Sequence, residues 1–406
     1  MKRILPTLRG LAEHPLAPPA ALLALSILCY GIYVSWMGFY WDDWPISWLS
    51  HISDAESIKY FQFQRPLSGM VIYIGNKLFG EIPLHWQVFT FLLRYCSAIA
   101  AWWVIKTIWP SENQRAFLVA ALFLVFPGFS QQFVSVNSAP HLVALILFLV
   151  SLSLMVLANR RSTRRQESKS PSLRSGRHEK EKLREVNGPS WSEWALSTSA
   201  LATAFLALLT SDYFHGLELA RPFILWLAFE GKQKSIRNVL RAWWPYLTVL
   251  IAVLIWHSYI SRYGAYSLDL LDAIRANPLP ALQQFVATVL VDLRVATWDV
   301  WTRTFALPSA QTVGASGVRY FWVLAIAALI GTAAFLSLRT DENNYRRWSV
   351  EAIALGVIML LAGGIVFWIP QLPFSLSFPS DRLALPMMLG SSLLLAGLID
   401  FALKQS

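Results

Sequence analysis

Two adjacent carboxylates, Asp42 and Asp43, stand in the aromatic run Tyr40-Trp41-Asp42-Asp43-Trp44. Burial among rings and mutual repulsion both disfavour the charged form, which raises a carboxyl pKa toward that of a general base. The plainer alternative is that the pair caps an interfacial helix. Arg65 follows in Gln62-Phe63-Gln64-Arg65-Pro66-Leu67-Ser68. Its planar fork fits a phosphate, and it equally fits an ion pair that holds Asp42 or Asp43 in place. A third group, Thr210-Ser211-Asp212-Tyr213-Phe214-His215-Gly216-Leu217-Glu218, ends in Arg221-Pro222. Asp212, His215 and Glu218 recur every three residues, so neighbouring pairs share a helix face. This is not one of the strong zinc spacings, and no metal ligand set is assigned. A polar cluster that pairs with arginines across the bundle is expected instead. The fourth group is Phe378-Pro379-Ser380-Asp381-Arg382-Leu383-Ala384-Leu385-Pro386. Arg382 there either meets an anionic lipid headgroup or anchors the interface with Asp381 as its partner. Tyr259, Arg262 and Tyr263 are candidates to line the same lipid-phosphate site. His141, after Pro140 and with His85 and Asn137 near it in depth, reads as a structural histidine.

The elements that must position these groups are membrane helices. Of the 406 residues, 55% are hydrophobic and 14% charged, and the mean hydropathy is +0.46. Soluble domains carry about a quarter charged residues. Apolar runs long enough to cross a ~30 Å hydrocarbon core recur along the whole length. The expected fold is all-α, a polytopic transmembrane bundle forming one integral membrane domain over residues 1–406. The spans are placed near 17–39, 84–108, 116–127, 139–158, 191–211, 214–230, 243–260, 318–338, 349–369 and 382–402. Pro127 and Gly128 cut the third span short, and a broken helix through Gln131 and Gln132 is one way for it to continue. The apolar run Leu16–Phe39 is too long for a signal-peptide core and lacks a small-residue cleavage site, so it reads as a retained first helix. Cys29 and Cys96 fall inside expected helices, imply no disulfide and read as small core residues.

With the N-terminus in the cytoplasm, 23 of the 34 Lys and Arg residues fall on the cytoplasmic side. The positive-inside rule therefore favours cytoplasmic N- and C-termini for a multi-pass protein of the inner (plasma) membrane. The net charge of +10 is then a topology signal. It does not mark nucleic-acid binding, because no folded basic domain carries it. Residues 159–189 are rich in Arg, Lys, Ser and Glu and read as a disordered cytoplasmic loop lying near anionic headgroups. Two long extracytoplasmic loops, 40–83 and 261–317, have amphipathic patterns typical of helices in the interface plane. Trp41, Trp44, Trp48, Tyr60, Phe61 and Phe63 interleave with charge in the first. Leu279, Leu282, Phe285, Val286, Val289, Leu290 and Leu293 recur at helical spacing in the second. The two loops are expected to pack on each other over the outer ends of the spans.

No Walker loop, GxGxxG or Gly-x-Ser-x-Gly is present, so ATP-driven transport and a soluble nucleotide-sugar site have no support. The order of the remaining motifs is informative. The acidic pair Tyr40–Trp44 ends the first helix. Arg65-Pro66-Leu67-Ser68, Leu78-Phe79-Gly80, Phe126-Pro127-Gly128, the turn Glu218–Pro222 and Asp381-Arg382-Leu383-Ala384-Leu385-Pro386 follow. Together they resemble the GT-C class of multi-spanning membrane glycosyltransferases, which includes the protein O-mannosyltransferases and the aminoarabinose lipid A transferases. The resemblance covers most of the chain through short, degenerate motifs. The large C-terminal soluble domain of some members is missing here.

The resemblance implies a sugar donor carried on polyprenyl phosphate and a glycan, lipid or protein acceptor reached from the outer face, among membrane lipids. It makes a carboxylate of the first outer loop the base, which maps to Asp42 or Asp43. The departing phosphate needs cations where its charge develops. Arg65, Arg262 and Arg382 are the candidates, and a divalent ion such as Mg or Mn is an open alternative. Asp212, His215, Glu218, Tyr263 and Asp381 are then expected near the substrate pocket. A transporter or glycolipid flippase is the competing class. It would bind near the bilayer midplane between internal repeats, whereas the polar groups here gather at the outer interface and no repeat is evident.

Overall fold

The structure is a computed structural model that describes residues 14–53, 55–169, 191–231, 234–260, 269–338, 345–372 and 374–403. Arg262, Tyr263 and residues 170–189 of the basic loop lie outside the described residues. Helices carry the chain, and no strand occurs among the described residues. In chain order they are α1 Ala17–Cys29, α2 Asp43–Ile52, α3 Glu56–Phe61, α4 Pro66–Phe79, α5 Pro83–Ile108, α6 Asn113–Leu124, α7 Ser135–Lys169 and α8 Trp191–Thr210. Then come α9 Arg221–Ala228, α10 Ile236–Ile260, α11 Asp269–Ala276, α12 Pro278–Arg294, α13 Ala310–Leu338, α14 Tyr345–Trp368 and α15 Met388–Ala402. Prolines open α4, α5 and α12, where a missing N–H costs nothing because first-turn donors have no intrahelical partner.

Eight helical stretches among the described residues are long and apolar enough to cross a membrane. They lie in α5, α7, α8, α10, α13 and α14, in the run Pro278–Phe305 that prolongs α12, and in Ser380–Ala402 that ends in α15. The chain is therefore a multi-pass helical membrane protein by length and composition.

Several expected boundaries differ. The first apolar run breaks at Tyr30 into α1 and a 3-10 turn, Gly31–Trp36. The third run ends at Leu124, and the chain passes through a 3-10 turn, Gln131–Phe133, before α7. The 214–230 run is not one helix. It comprises 3-10 turns at Asp212–Phe214 and Gly216–Ala220, followed by the eight-residue α9. The segment passes close to α14 there: a side chain at Gly216 would place its Cβ 2.0 Å from the Ala362 carbonyl oxygen. Helix α7 runs on to Lys169, into the stretch expected to be disordered. Arg, Gln, Glu and Lys are all good helix formers, and nine residues before that end Arg160 donates to the Ile108 carbonyl at 3.0 Å. Cys29 is half-buried and Cys96 exposed, so Cys96 faces outward from α5 and is not a core residue.

The largest core joins α5, α6, α7, α8, α9, α14 and α15. Helix α7 packs on α8 and α5, and α14 pairs closely with α15. That last pair meets through glycines: a Cβ on Gly356 would sit 2.8 Å from the Gly390 carbonyl, and one on Gly390 2.9 Å from the Gly356 carbonyl. Small residues of this kind let membrane helices bring their backbones together.

Residues 40–43, 130–137, 211–215 and 369–382 gather at one end of the bundle, called below the Asp42 end. Ile108–Glu112, Arg160, Leu227–Gly231 and Arg347–Glu351 surround a cavity of about 390 Å³ at the other. The segment 211–230 thus travels from one end to the other despite its broken helicity. The run around α12 behaves differently. The Leu270 N–H donates to Ile369 O at 3.1 Å, and Arg303 donates to Leu376 O. Both flanks of this long stretch are tied to the same connection at the Asp42 end.

Candidate functional site

The break between α6 and α7 shapes the site, and three charged side chains hold it. The Leu124 carbonyl at the end of α6 accepts from the Tyr30 hydroxyl at 2.9 Å and from Arg94 Nη2 at 2.9 Å. A cation is favourable at a helix C-terminus, where the carbonyls lack partners. Asp381, fully buried, accepts the Ser130 N–H at 3.0 Å together with the Ser130 hydroxyl and the Gln131 side-chain amide. Asp43, also fully buried, caps α7. Its Oδ2 accepts the Ser135 N–H at 2.9 Å and its Oδ1 the N–H groups of Val136 and Asn137 at 2.8 and 3.1 Å. The Tyr40 N–H adds a fourth donor at 3.3 Å. Burial pushes the Asp43 carboxyl up to about 6, and the backbone donors pull against that rise.

The two members of the acidic pair therefore have different surroundings. Asp43 is enclosed and occupied. Asp42 keeps about a third of its side chain exposed. Its Oδ2 accepts from Asn137 Nδ2 at 3.3 Å and lies 3.7 Å from Arg382 Nη1. Burial raises the Asp42 pKa above the ordinary aspartate value, and the Arg382 charge opposes that rise. Arg382 also lies 5.3 Å above the Trp41 ring, a cation–π placement. Trp41 adopts φ +47°, a left-handed conformation that is strained for a bulky residue. It packs edge-on against Phe378 at 4.9 Å. The partner of Arg382 is thus Asp42. Asp381 points instead into the Ser130–Gln131 turn.

A second polar group adjoins the first. Asn137 and His141 lie four residues apart and share a face of α7. His141 meets the Ser211 hydroxyl through Nδ1 at 2.9 Å and stacks on Tyr213 at 4.5 Å. Its Nε2 is 3.5 Å from Arg65. Arg65 pairs with Asp212, Nε to Oδ1 at 2.9 Å, and sits 5.0 Å over the Tyr213 ring. The partner of Arg65 is therefore Asp212, and not Asp42 or Asp43. Burial alone would raise the Asp212 pKa, but Arg65 and the nearby histidines outweigh it and hold the carboxyl below the usual range. A continuous line of polar groups results: Arg382, Asp42, Asn137, His141, Arg65 and Asp212.

Of the other expected pocket residues, His215 borders this line beside Asp212, and Glu218 lies apart from it. Asp212 and Glu218 belong to separate 3-10 turns with His215 between them, so no single helix carries the three. His215 is buried, with Nε2 2.9 Å from the Leu208 carbonyl and its ring edge-on to His257. Glu218 forms a fully buried bidentate pair with Arg221, Oε1 to Nη2 at 2.7 Å, and the guanidinium lies 4.4 Å over the Tyr246 ring. Tyr259, at the end of α10, is exposed. Asn137 is the residue that sequence reasoning undervalued. A lone amide in the first turn of an apolar helix carries no spacing signal, and only the cap on α7 reveals it. Among the described residues, no three His, Cys, Asp or Glu side chains come together as a metal-holding group. No family model matches this chain, and no curated protein or solved structure matches it.

Proposed function

We propose that this chain is a membrane glycosyltransferase that moves a sugar from a polyprenyl-phosphate donor to an envelope glycan, lipid or protein acceptor, with Asp42 as the general base. One observation carries the reading. Of the two adjacent carboxylates, only Asp42 is partly open, and it stands between an amide that orients it and an arginine placed for an anion. Asp42 takes the proton of an acceptor hydroxyl. The oxygen then bonds to the anomeric carbon as the bond from that carbon to the phosphate oxygen breaks, and the electron pair leaves with the lipid phosphate. Arg382 balances the charge on the leaving oxygen, where a preorganised cation contributes most. Donor binding draws Arg382 toward phosphate and away from Asp42. That removes the charge restraining the Asp42 pKa and strengthens the base once the donor is seated. Asn137 positions Asp42, and Asp43 positions Asn137 through the cap on α7. Arg65 extends the cationic lining from the far side of His141.

In this reading the Asp42 end faces outward from the plasma membrane and the Arg/Lys-rich end lies in the cytoplasm, as the positive-inside rule favours. Ten crossings agree with cytoplasmic termini when α1, α6 and the broken 211–230 segment each count as one. The α12 run then lies along the outer face, a placement supported by the tethers of both its flanks to the 369–376 connection. Envelope glycan analysis of a deletion strain, complemented with wild type or with Asp42→Asn at equal expression, tests the proposal. Loss of a sugar modification in the deletion, restored by wild type and not by Asp42→Asn, is expected. A deletion that alters no envelope glycan would refute it and make transport the leading class.

A further inference from the structure

The end of the bundle opposite Asp42 holds the cavity of about 390 Å³, where the ends of α5 and α9, the start of α14 and the Arg160 turn of α7 meet. That volume falls in the range of about 300–1,000 Å³ usual for small-molecule sites. Trp109 and Trp348, both buried and edge-on to each other at 6.0 Å, form part of its wall. The charged lining is balanced: Arg160, Lys234 and Arg347 face Glu112, Glu230 and Glu351. Most of these charges are engaged within the protein. Glu351 accepts from Trp109 Nε1 at 2.8 Å and from Arg347 Nε at 2.8 Å. Glu112 pairs with Arg115. Arg160 is oriented by its bond to the Ile108 carbonyl at 3.0 Å. Glu230 and Lys234 differ. The Lys234 ammonium sits 5.3 Å over the Trp226 ring and pairs with no carboxylate among the described residues. Glu230 is exposed and acts on Arg347 through space, without an ion-pair contact among the described residues. The short connection between α9 and α10 thus offers the cavity one cation and one anion that do not satisfy each other.

This lining selects its occupant. A ligand with only negative charge meets the carboxylates, and one with only positive charge meets the cations, and such like-charge contacts are costly. A ligand that carries both charges satisfies both groups. Phosphate suits the ammonium and guanidinium, and a primary ammonium, with its three donors, suits the carboxylate. The surroundings show from which side it comes. Immediately after Lys234, Ile236, Leu240 and Trp244 recur every four residues along the start of α10, 65%, 47% and 63% exposed. Helix α10 is long and apolar enough to cross a membrane, and the exposed apolar face of such a helix meets acyl chains. Trp226 and Lys234, at the edge of that stripe, are the residue types that sit at headgroup depth. We infer that the cavity holds the headgroup of a zwitterionic phospholipid with a primary ammonium. Its phosphate lies at Lys234 and Arg160, its ammonium at Glu230, and its chains run along Ile236, Leu240 and Trp244. The bound lipid joins α7, α9, α10 and α14, and the site stands whether or not Asp42 is a base.

The test titrates the purified full chain in detergent with dioleoyl lipids and counts retained lipid by native mass spectrometry. Wild type is expected to hold one phosphatidylethanolamine per chain, and to prefer it to phosphatidylglycerol and phosphatidylcholine by about threefold, the scale of an exposed ion pair. Glu230→Gln is expected to erase that preference while phosphatidylglycerol binds as before. Lys234→Gln is expected to weaken both lipids by about tenfold, as loss of a charged donor to phosphate implies, and Lys234→Arg to restore them. Glu230 is exposed and Lys234 half-buried in a connection, so these variants keep the fold, and equal melting temperatures without added lipid verify it. Soluble glycerophosphoethanolamine, which has the same headgroup without chains, is expected to displace the lipid only at far higher concentration. The inference is overturned if wild type retains no lipid or retains all three alike, or if Glu230→Gln keeps the preference. It is equally overturned if Lys234→Gln binds as wild type, or if the soluble headgroup competes as well as the lipid does, which would make the ligand a cytoplasmic solute.

Discussion

Glu218 and Arg221 offer the clearest separation of structure from chemistry. Both side chains are at most 1% exposed, and the carboxylate takes two bonds from the guanidinium, one of them 2.7 Å long. Glu218→Gln leaves Arg221 charged among Phe148, Tyr246 and Met155 with no compensating anion. Uncovering a buried charge in this way costs about 3–5 kcal/mol. Arg221→Met imposes a similar cost on Glu218. The double variant Glu218→Leu, Arg221→Met removes both charges and replaces them with apolar groups of similar size. Such replacements are often neutral or stabilising by about 1–4 kcal/mol. The expected coupling between the two sites is therefore at least about 3 kcal/mol, well above the ~0.5 kcal/mol scatter of independent sites. Thermal unfolding of the purified chain in nanodiscs reads the cycle, with sugar transfer measured on the same samples. The expected result is two destabilised single variants and a double variant that regains both melting temperature and transfer. A Glu218→Gln variant that melts like wild type yet fails in transfer would refute the reasoning and return Glu218 to the reacting centre.

Asp43→Ala leaves four N–H groups around Tyr40 and the start of α7 without their acceptor, those of Ser135 and Val136 buried, and is expected to destabilise the chain by about 2 kcal/mol or more in nanodisc unfolding. Asp42→Asn, at a half-exposed pair with a 3.7 Å separation, is expected to shift unfolding by no more than about 1 kcal/mol. Arg382→Gln removes the charge that opposes the burial-driven rise of the Asp42 pKa. Because the base must be ionised, the acid limb of the kcat/KM profile, which reports the free enzyme, is expected above the ordinary aspartate range in wild type and at still higher pH in the variant. Gly390→Leu forces a side chain into the 2.9 Å approach to the Gly356 carbonyl, and is expected to cost about 1–3 kcal/mol and to loosen α14 from α15.

Much of the bundle was legible because membrane helices announce themselves by length and apolarity, as α5, α7, α8, α10, α13 and α14 do. The interruptions were harder. At Leu124 a helix ends where Arg94 claims its carbonyl, and at Gly216 the chain is pressed against the Ala362 backbone. Neither reason leaves a periodic trace. At the site, the aromatic and acidic run 40–44 and the late Arg382 stood out as costly residues at an interface, and the structure brings Asp42 and Arg382 together. The pairing of Arg65 with Asp212 joins residues 147 positions apart, and the cap from Asp43 to Ser135–Asn137 spans more than 90. Local spacing carries no information about either. Asp381 looked like a pocket residue by its type and was claimed by the Ser130–Gln131 turn, whose unpaired donors only the fold exposes.

The central claim concerns the proton taken by Asp42. Membranes from a deletion strain, which retain donor and acceptor, can be supplied with purified wild-type chain or with Asp42→Asn of equal melting temperature, and the release of free polyprenyl phosphate followed over time. Release by wild type and none by Asp42→Asn is the predicted result. Equal release by the two would contradict the account and remove Asp42 from the chemistry.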